Sequence, residues 1–127
     1  MSDKSDFHKD RIVNLLRATT ITAPATVYAA LSTALINDDG TGIIEPVGNG
    51  YARTAIVFDA PALGIANNQL VTFPQASGSW GTITHFAIFD AVTAGNMLYH
   101  DSVTAPLAVG NLDTARFQPG DLTVSEQ

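Results

Sequence analysis

Hydrophobic and polar positions along the chain change period once, near Pro24. Before it, Phe7, Ile12, Leu15 and Leu16 fall near one stripe at helical spacing, which predicts a short helix over about Ser5 to Ala18. Ser5 or Asp6 can cap its start by accepting bonds from otherwise unpaired N–H groups. Thr19, Thr20 and Ile21 are β-branched and weaken the helix, and Pro24 blocks its continuation. An isolated helix of this length is marginal in water, so it must pack on its own sheet or on a neighbouring subunit.

From Ala25 the period is two. Val27, Ala29 and Leu31 alternate with Thr26, Tyr28 and Ser32 in a strand over Ala25 to Ala34. Asn37 to Gly40 is a loop cluster, and Asn49-Gly50 is a tight turn inside a long connection. Ala52 to Asp59 is the next strand, with Ile56 and Phe58 on one face, and Pro61 and Gly64 end it. Gln69 to Phe73 follows. Gly81 to Asp90 is the strongest strand, and strict alternation puts Ile83, His85, Ala87 and Phe89 on one side, Phe86 and Ile88 on the other. Met97 to Asp101 returns after a hairpin at Gly95-Asn96. Leu107 with Val109, Ala115 with Phe117, and Leu122 with Val124 mark three more short strands.

Short strands separated by Gly, Pro and Asn turns predict a mainly β fold, an antiparallel β-sandwich of about 7–8 short strands with a short N-terminal α-helix. No helix-length segments alternate with the strands, which argues against a parallel βαβ sheet. The expected organisation is an N-terminal helix and connector over 1–24, a possible docking element, followed by a β-sandwich domain over 25–127.

Composition narrows the functional classes. The 127 residues make about one domain, and the chain has no cysteine, which excludes disulfides and thiolate metal sites. The net charge is −6. Beyond Ala18 only Arg53 and Arg116 stand against nine carboxylates, which leaves −7 on the body. Phosphate backbones repel such a surface, so no nucleic-acid partner is expected. Only 14% of residues are charged, and a surface poor in charge loses little hydration when a partner covers it. No apolar run approaches the ~20 residues that cross a bilayer, so no membrane partner is expected. The polar stretch Met1 to Asp10 does not read as a secretory signal, and synthesis and folding in the cytoplasm are expected.

Searches for chemistry return little. His8, His85 and His100 lack any zinc-site spacing, and His85 reads as a hydrogen-bonded structural residue. Asp38, Asp39 and Glu45 miss the spacing of a calcium loop. Ser79 with His85 fails as a nucleophile pair: Ser77 stands where the elbow needs Gly, and a strand follows. Asp59, Asp90, Asp101, Asp113 and Asp121 sit at strand ends or turns, where Asp bonds its own backbone. Gly48-Asn49-Gly50 lacks the Lys and helix of a phosphate loop. Phe58, Phe73, Phe86, Phe89 and Phe117 fall at strand spacing and read as core. No enzyme, cofactor or metal is expected. The candidate interface residues are Phe7, Ile12, Leu15 and Leu16 on the helix, with Tyr51 and Trp80 beside turns, where both aromatic types are enriched at interfaces. For Trp80, a lid over one end of the core is the competing reading.

Six segments carry a family resemblance: Thr22 to Thr33 (TAPATVYAALST), Glu45 to Arg53 (EPVGNGYAR), Val71 to Pro74 (VTFP), Ser79 to Asp90 (SWGTITHFAIFD), Gly95 to Leu98 (GNML) and Gly120 to Val124 (GDLTV). In this order the chain resembles a widespread family of small virion proteins of tailed bacteriophages, often labelled phage tail fibre proteins, with some members similar to head decoration proteins. The chain departs from the pattern where the helix runs directly into TTITAPATVY and where Ala60 to Gln69 is short. The resemblance implies a non-enzymatic structural protein located in the virion and made in the bacterial host cytoplasm. The expected role is capsid decoration, binding the major capsid protein and stabilising the assembled particle. The alternatives are a neck, collar or tail protein bound to neck or tail proteins, and a receptor- or carbohydrate-binding module using exposed rings such as Tyr51, Trp80 or Tyr99. A homo-oligomer is expected because open sheet edges need cover.

Overall fold

The computed structural model describes residues 3–58 and 64–125. Among these, one helix, α1 (Asp6–Leu16), follows the two-residue strand β1 (Asp3–Lys4). The remaining strands are β2 (Val27–Ser32), β3 (Thr54–Ile56), β4 (Gly64–Ala66), β5 (Val71–Thr72), β6 (Gly81–Phe89), β7 (Met97–Val109), β8 (Arg116–Phe117) and β9 (Thr123–Ser125). A five-stranded sheet in the order β1-β7-β6-β2-β3 faces two two-stranded ribbons, β4-β9 and β5-β8, and every pairing is antiparallel. The fold is mainly β, as expected, with a second layer split into ribbons. The predicted strand end at Asp59 and the break at Pro61 lie outside the described residues.

Two differences from the alternation pattern have a physical cause. Met97 to Asp101 and Leu107 to Val109 belong to one strand, β7, which runs through Pro106. Ile83 pairs with Leu107 and His85 with Ser102, so five steps of β7 oppose two of β6 and β7 bulges by three residues. Pro106 lies in that bulge, where its missing N–H costs no ladder bond. The same irregularity breaks the alternation of β6. Ile83 joins Phe86 and Ile88 in the main core, while Ala87 and Phe89 face the other way. A bulge re-aims every side chain beyond it, so the expected grouping of Ile83 with Ala87 and Phe89 does not hold.

The main core fills the space between the sheet and the ribbons. Leu31, Ile83 and Phe86 from the sheet meet Phe73, Phe117 and Leu122 from and around the ribbons. On the opposite face Ala30, Ala87, Phe89 and Met97 form a smaller cluster under Ile36 and Ile43 of the 33–44 loop. Ser32 holds that loop down: its hydroxyl accepts from Ala34 N–H and Ile44 N–H, each at 3.1 Å.

Short ribbons bury little apolar area, so polar clamps matter. Asn67 is fully buried between β4 and the turn before β9. Its Oδ1 accepts from Leu122 N–H at 3.0 Å, and its amide donates to the carbonyls of Gln69 at 2.8 Å and Gln118 at 3.0 Å. Removing it strands a buried N–H and two carbonyls. Asn67→Ala is expected to destabilise the protein by about 3 kcal/mol, seen as a lower urea midpoint with an unchanged slope.

Candidate assembly surface

The N-terminal arm is pinned at its start. Asp3 and Lys4 pair with His100 and Tyr99 of β7. Ser5 N–H donates to the Leu98 carbonyl at 2.9 Å, its hydroxyl donates to Met97 O, and its side chain caps α1 by accepting from His8 N–H at 3.2 Å. Asp6 N–H donates to the Asp38 carbonyl at 2.7 Å. Lys9 Nζ and His100 Nε2 both donate to the Asp38 carboxylate. The Lys9 ammonium first, then His100, holds that carboxyl below its ordinary 3.8. The His8 ring lies 5.0 Å from Tyr99.

Arg11 donates to the Thr22 carbonyl at 2.9 Å, and beyond it the helix keeps cover on the Asn14 side, where residues 19–24 border a cleft, and loses it elsewhere. No residue of α1 is buried, and Val13, Leu15 and Leu16 are 55%, 60% and 88% exposed. At about 3.6 residues per turn these three lie on different sides of the last turn. The predicted stripe is therefore divided: Ile12 is half-buried, Phe7 borders a cleft with Thr19 to Pro24, and Leu15 and Leu16 project freely. Val13 is exposed as well, and a stripe at helical spacing omits it. The helix ends at Leu16, two residues before the predicted Ala18. Thr19 N–H reaches Asn14 O at 3.0 Å and Ala18 N–H reaches Leu15 O at 3.1 Å, the paired bonds of a Schellman cap. Ala18 occupies the left-handed position at φ 60°, where glycine is usual.

Tyr51 and Trp80 sit elsewhere, in the body. Trp80 is 4% exposed and its indole N–H donates to Asn49 O at 2.9 Å. Its ring meets Tyr51 edge-on at 5.2 Å, so it closes the end of the core. Asn49 and Gly50 form the expected turn with φ of 52° and 79°, and a Cβ on Gly50 would stand 2.9 Å from Gln75 O. Tyr51 is half-buried: its hydroxyl accepts from Leu31 N–H at 3.0 Å, just past the end of β3, and donates to Glu45 at 2.6 Å. Arg53 completes the knot. Its side chain is 9% exposed, forks onto both Glu45 oxygens at 3.0 and 2.8 Å, stacks 3.6 Å from the Phe89 ring, and donates to the Ala91 and Ala94 carbonyls. Burial pushes Glu45 up, but Arg53 and Tyr51 outweigh it and hold the carboxyl below its ordinary 4.5. Burial, with Glu45, pushes the Tyr51 phenol up. The residues of EPVGNGYAR thus fasten the 91–95 hairpin to the sheet.

The remaining candidates are dispersed. Asp38 serves the arm, Asp39 accepts from Thr41 N–H at 2.9 Å, and Glu45 is held by Arg53, so the three do not gather. The Ser79 hydroxyl accepts from Gly81 N–H, while His85 Nδ1 bonds the Thr84 hydroxyl at 2.9 Å. Asp90, Asp101, Asp113 and Asp121 accept from nearby backbone N–H groups, and Asp59 lies outside the described residues. What the structure does bring together, and the sequence pattern does not, is Asp3, Asp38 and His100.

Two outcomes follow. Ala18→Gly relieves the left-handed alanine and is expected to stabilise α1 by about 1 kcal/mol, read as slower hydrogen exchange of its last-turn amides. Glu45 is depressed in the folded state, so its contribution is complete above its unfolded value and is lost as pH falls through the lower folded value. Glu45→Gln leaves Arg53 poorly paired and is expected to cost about 3 kcal/mol at neutral pH. That gap should close as the pH falls below the ordinary 4.5 and through the lower folded value, and parallel unfolding curves across that range would disprove the linkage.

A family model described as Podophage GP4 fiber I protein gp80 matches residues 3–125, spanning every described element. No curated protein matches the chain. No helix among the described residues is long and apolar enough to cross a membrane. With the match running over nearly the whole length, the chain belongs to the podophage GP4 fiber I protein gp80 family, a family of phage fibre structural proteins.

Proposed function

We propose that the chain is a non-enzymatic subunit of a podophage fibre, attached to the particle through the exposed end of α1. The carrying observation is the contrast within the arm: residues 3–9 are bonded to the body, while Val13, Leu15 and Leu16 surround an uncovered helix tip. An apolar tip exposed on several sides needs a socket, or several neighbouring helices, to cover it. That favours an oligomer or a fibre protein with a matching hollow as the partner. The family description supports fibre over the capsid decoration expected from the sequence.

A glycan-binding role has less support. Trp80 is in the core, Tyr51 is committed to Glu45 and Leu31, and Tyr99 is half-buried beside His8. None of the three offers an open ring as a sugar platform. A homo-oligomer draws support from β7, because among the described residues β1 pairs only with Tyr99 and His100 of a thirteen-residue strand.

Leu15→Glu with Leu16→Glu tests the proposal in phage carrying the variant chain. Both side chains are solvent-facing, so stability is expected to change by less than about 0.5 kcal/mol. Incorporation into particles should be lost. Normal incorporation would overturn the role of α1, and hundreds of copies per particle would return the chain to the capsid surface.

A further inference from the structure

We propose that Asp3, Asp38 and His100 form a site for a divalent transition metal, of which zinc is the best match, stapling the N-terminal arm to β7. The three residues come from β1, the 33–44 loop and β7, and one ligand atom from each lies within 4.8 Å of the others. Two carboxylates alone would be an ordinary surface feature. The distinguishing element is His100, 5% exposed, whose Nε2 is aimed into the pair and lies 2.8 Å from Asp38 Oδ1.

The donor set decides the class of ion. One imidazole nitrogen with two carboxylate oxygens suits zinc and its neighbours, whereas calcium and magnesium take oxygen shells. Donor atoms around tetrahedral zinc stand roughly 3.3–3.5 Å apart. The Asp38–His100 contact must open by about half an ångström, and the exposed Asp3, already within 4.8 Å, must close in by at most about 1.5 Å, both within side-chain reach. An ionised carboxylate only accepts, so Nε2 carries the hydrogen of the present contact. For the ion to take its place between Nε2 and Oδ1, that hydrogen leaves Nε2 and the neutral ring carries its one N–H on Nδ1.

Lys9 does not block the site. It bonds Asp38 Oδ2, the oxygen turned away from His100, and Asp6 stands 3.5 Å from its ammonium as a second partner. Asp3 and Asp38 bring two carboxylates to the site, and Lys9 shares its charge between Asp38 and Asp6. The consequence is mechanical. The ligands at positions 3, 38 and 100 would join the arm, the loop that covers the smaller core and the longest strand at one point. The site stands whether or not α1 docks as proposed above.

The test titrates the metal-stripped full-length chain with Zn²⁺ alone, by calorimetry and by thermal unfolding, with Ca²⁺ in parallel. One zinc per chain, a raised unfolding temperature and no response to calcium are expected. Loss even of groups that support a metal ligand weakens binding about 10–100-fold, so Asp3→Asn should weaken it at least about tenfold. Asp3 is exposed, so metal-free unfolding of that variant should match the parent. His100→Gln, which keeps a polar group at the buried position, should abolish the effect. No saturable zinc binding, or binding that Asp3→Asn leaves unchanged and that therefore belongs to other histidines, would overturn the proposal.

Discussion

The pairing of β6 with β7 is the contact on which the other layers depend. These are the two longest strands, and they carry the largest share of both cores. β2 adds to one side of the pair and β1 to the other, so the N-terminal arm and the rest of the sheet are hung from it. Its bulge decides orientation. Because β7 gains three residues opposite Thr84, Ile83 and Phe86 both point into the main core, and Ala87 and Phe89 are left for the smaller cluster. Without the irregularity, either Ile83 or the Phe86–Ile88 pair would face away from the ribbons.

The segments that mark the family have structural work in this chain. Glu45, Tyr51 and Arg53 bind one another, reach Phe89 and fasten the 91–95 hairpin. Asp90 accepts from the Asn96 backbone and side chain at 2.7 and 3.1 Å, and Gly95, at φ 73°, leaves it room, since a Cβ there would stand 2.6 Å from Asp90 Oδ1. Asn49 receives the Trp80 indole. In this chain the buried ion pair, turn residues and core aromatics of these segments build the frame. The apolar helix end that we propose docks on a partner lies outside these segments, on α1.

The arm joins two opposite requirements. Its first residues lose their backbone polar groups to β7 and to Asp38, which fixes where the helix leaves the body. Its last turn keeps apolar surface in water, a cost that only a partner relieves. Fixed direction with an uncovered tip would lower the entropy lost in the docking we propose, because the tip is already held in place. A metal between Asp3, Asp38 and His100 would act on the first requirement and leave the second untouched.

Much of this was legible in the order of residues. The change of period at Pro24, the cap at Ser5, the strand from Gly81 and the Asn49-Gly50 turn depend on local sterics and alternation, which neighbouring residues settle. The sequence also determined the mainly β class and the weakly charged surface. Tertiary structure alone decided the face of Ile83, because a bulge arises from the mismatch between two strands. It buried Trp80, whose hydrogen-bond partner Asn49 is distant in sequence. It also placed Asp3 and Asp38 beside His100, a meeting of three segments that no spacing rule encodes. Short strands such as Asp3–Lys4 and Gly64–Ala66 carry too few residues to show a period: the first exists because the long β7 offers it an edge, and the second because the fold brings the equally short β9 beside it.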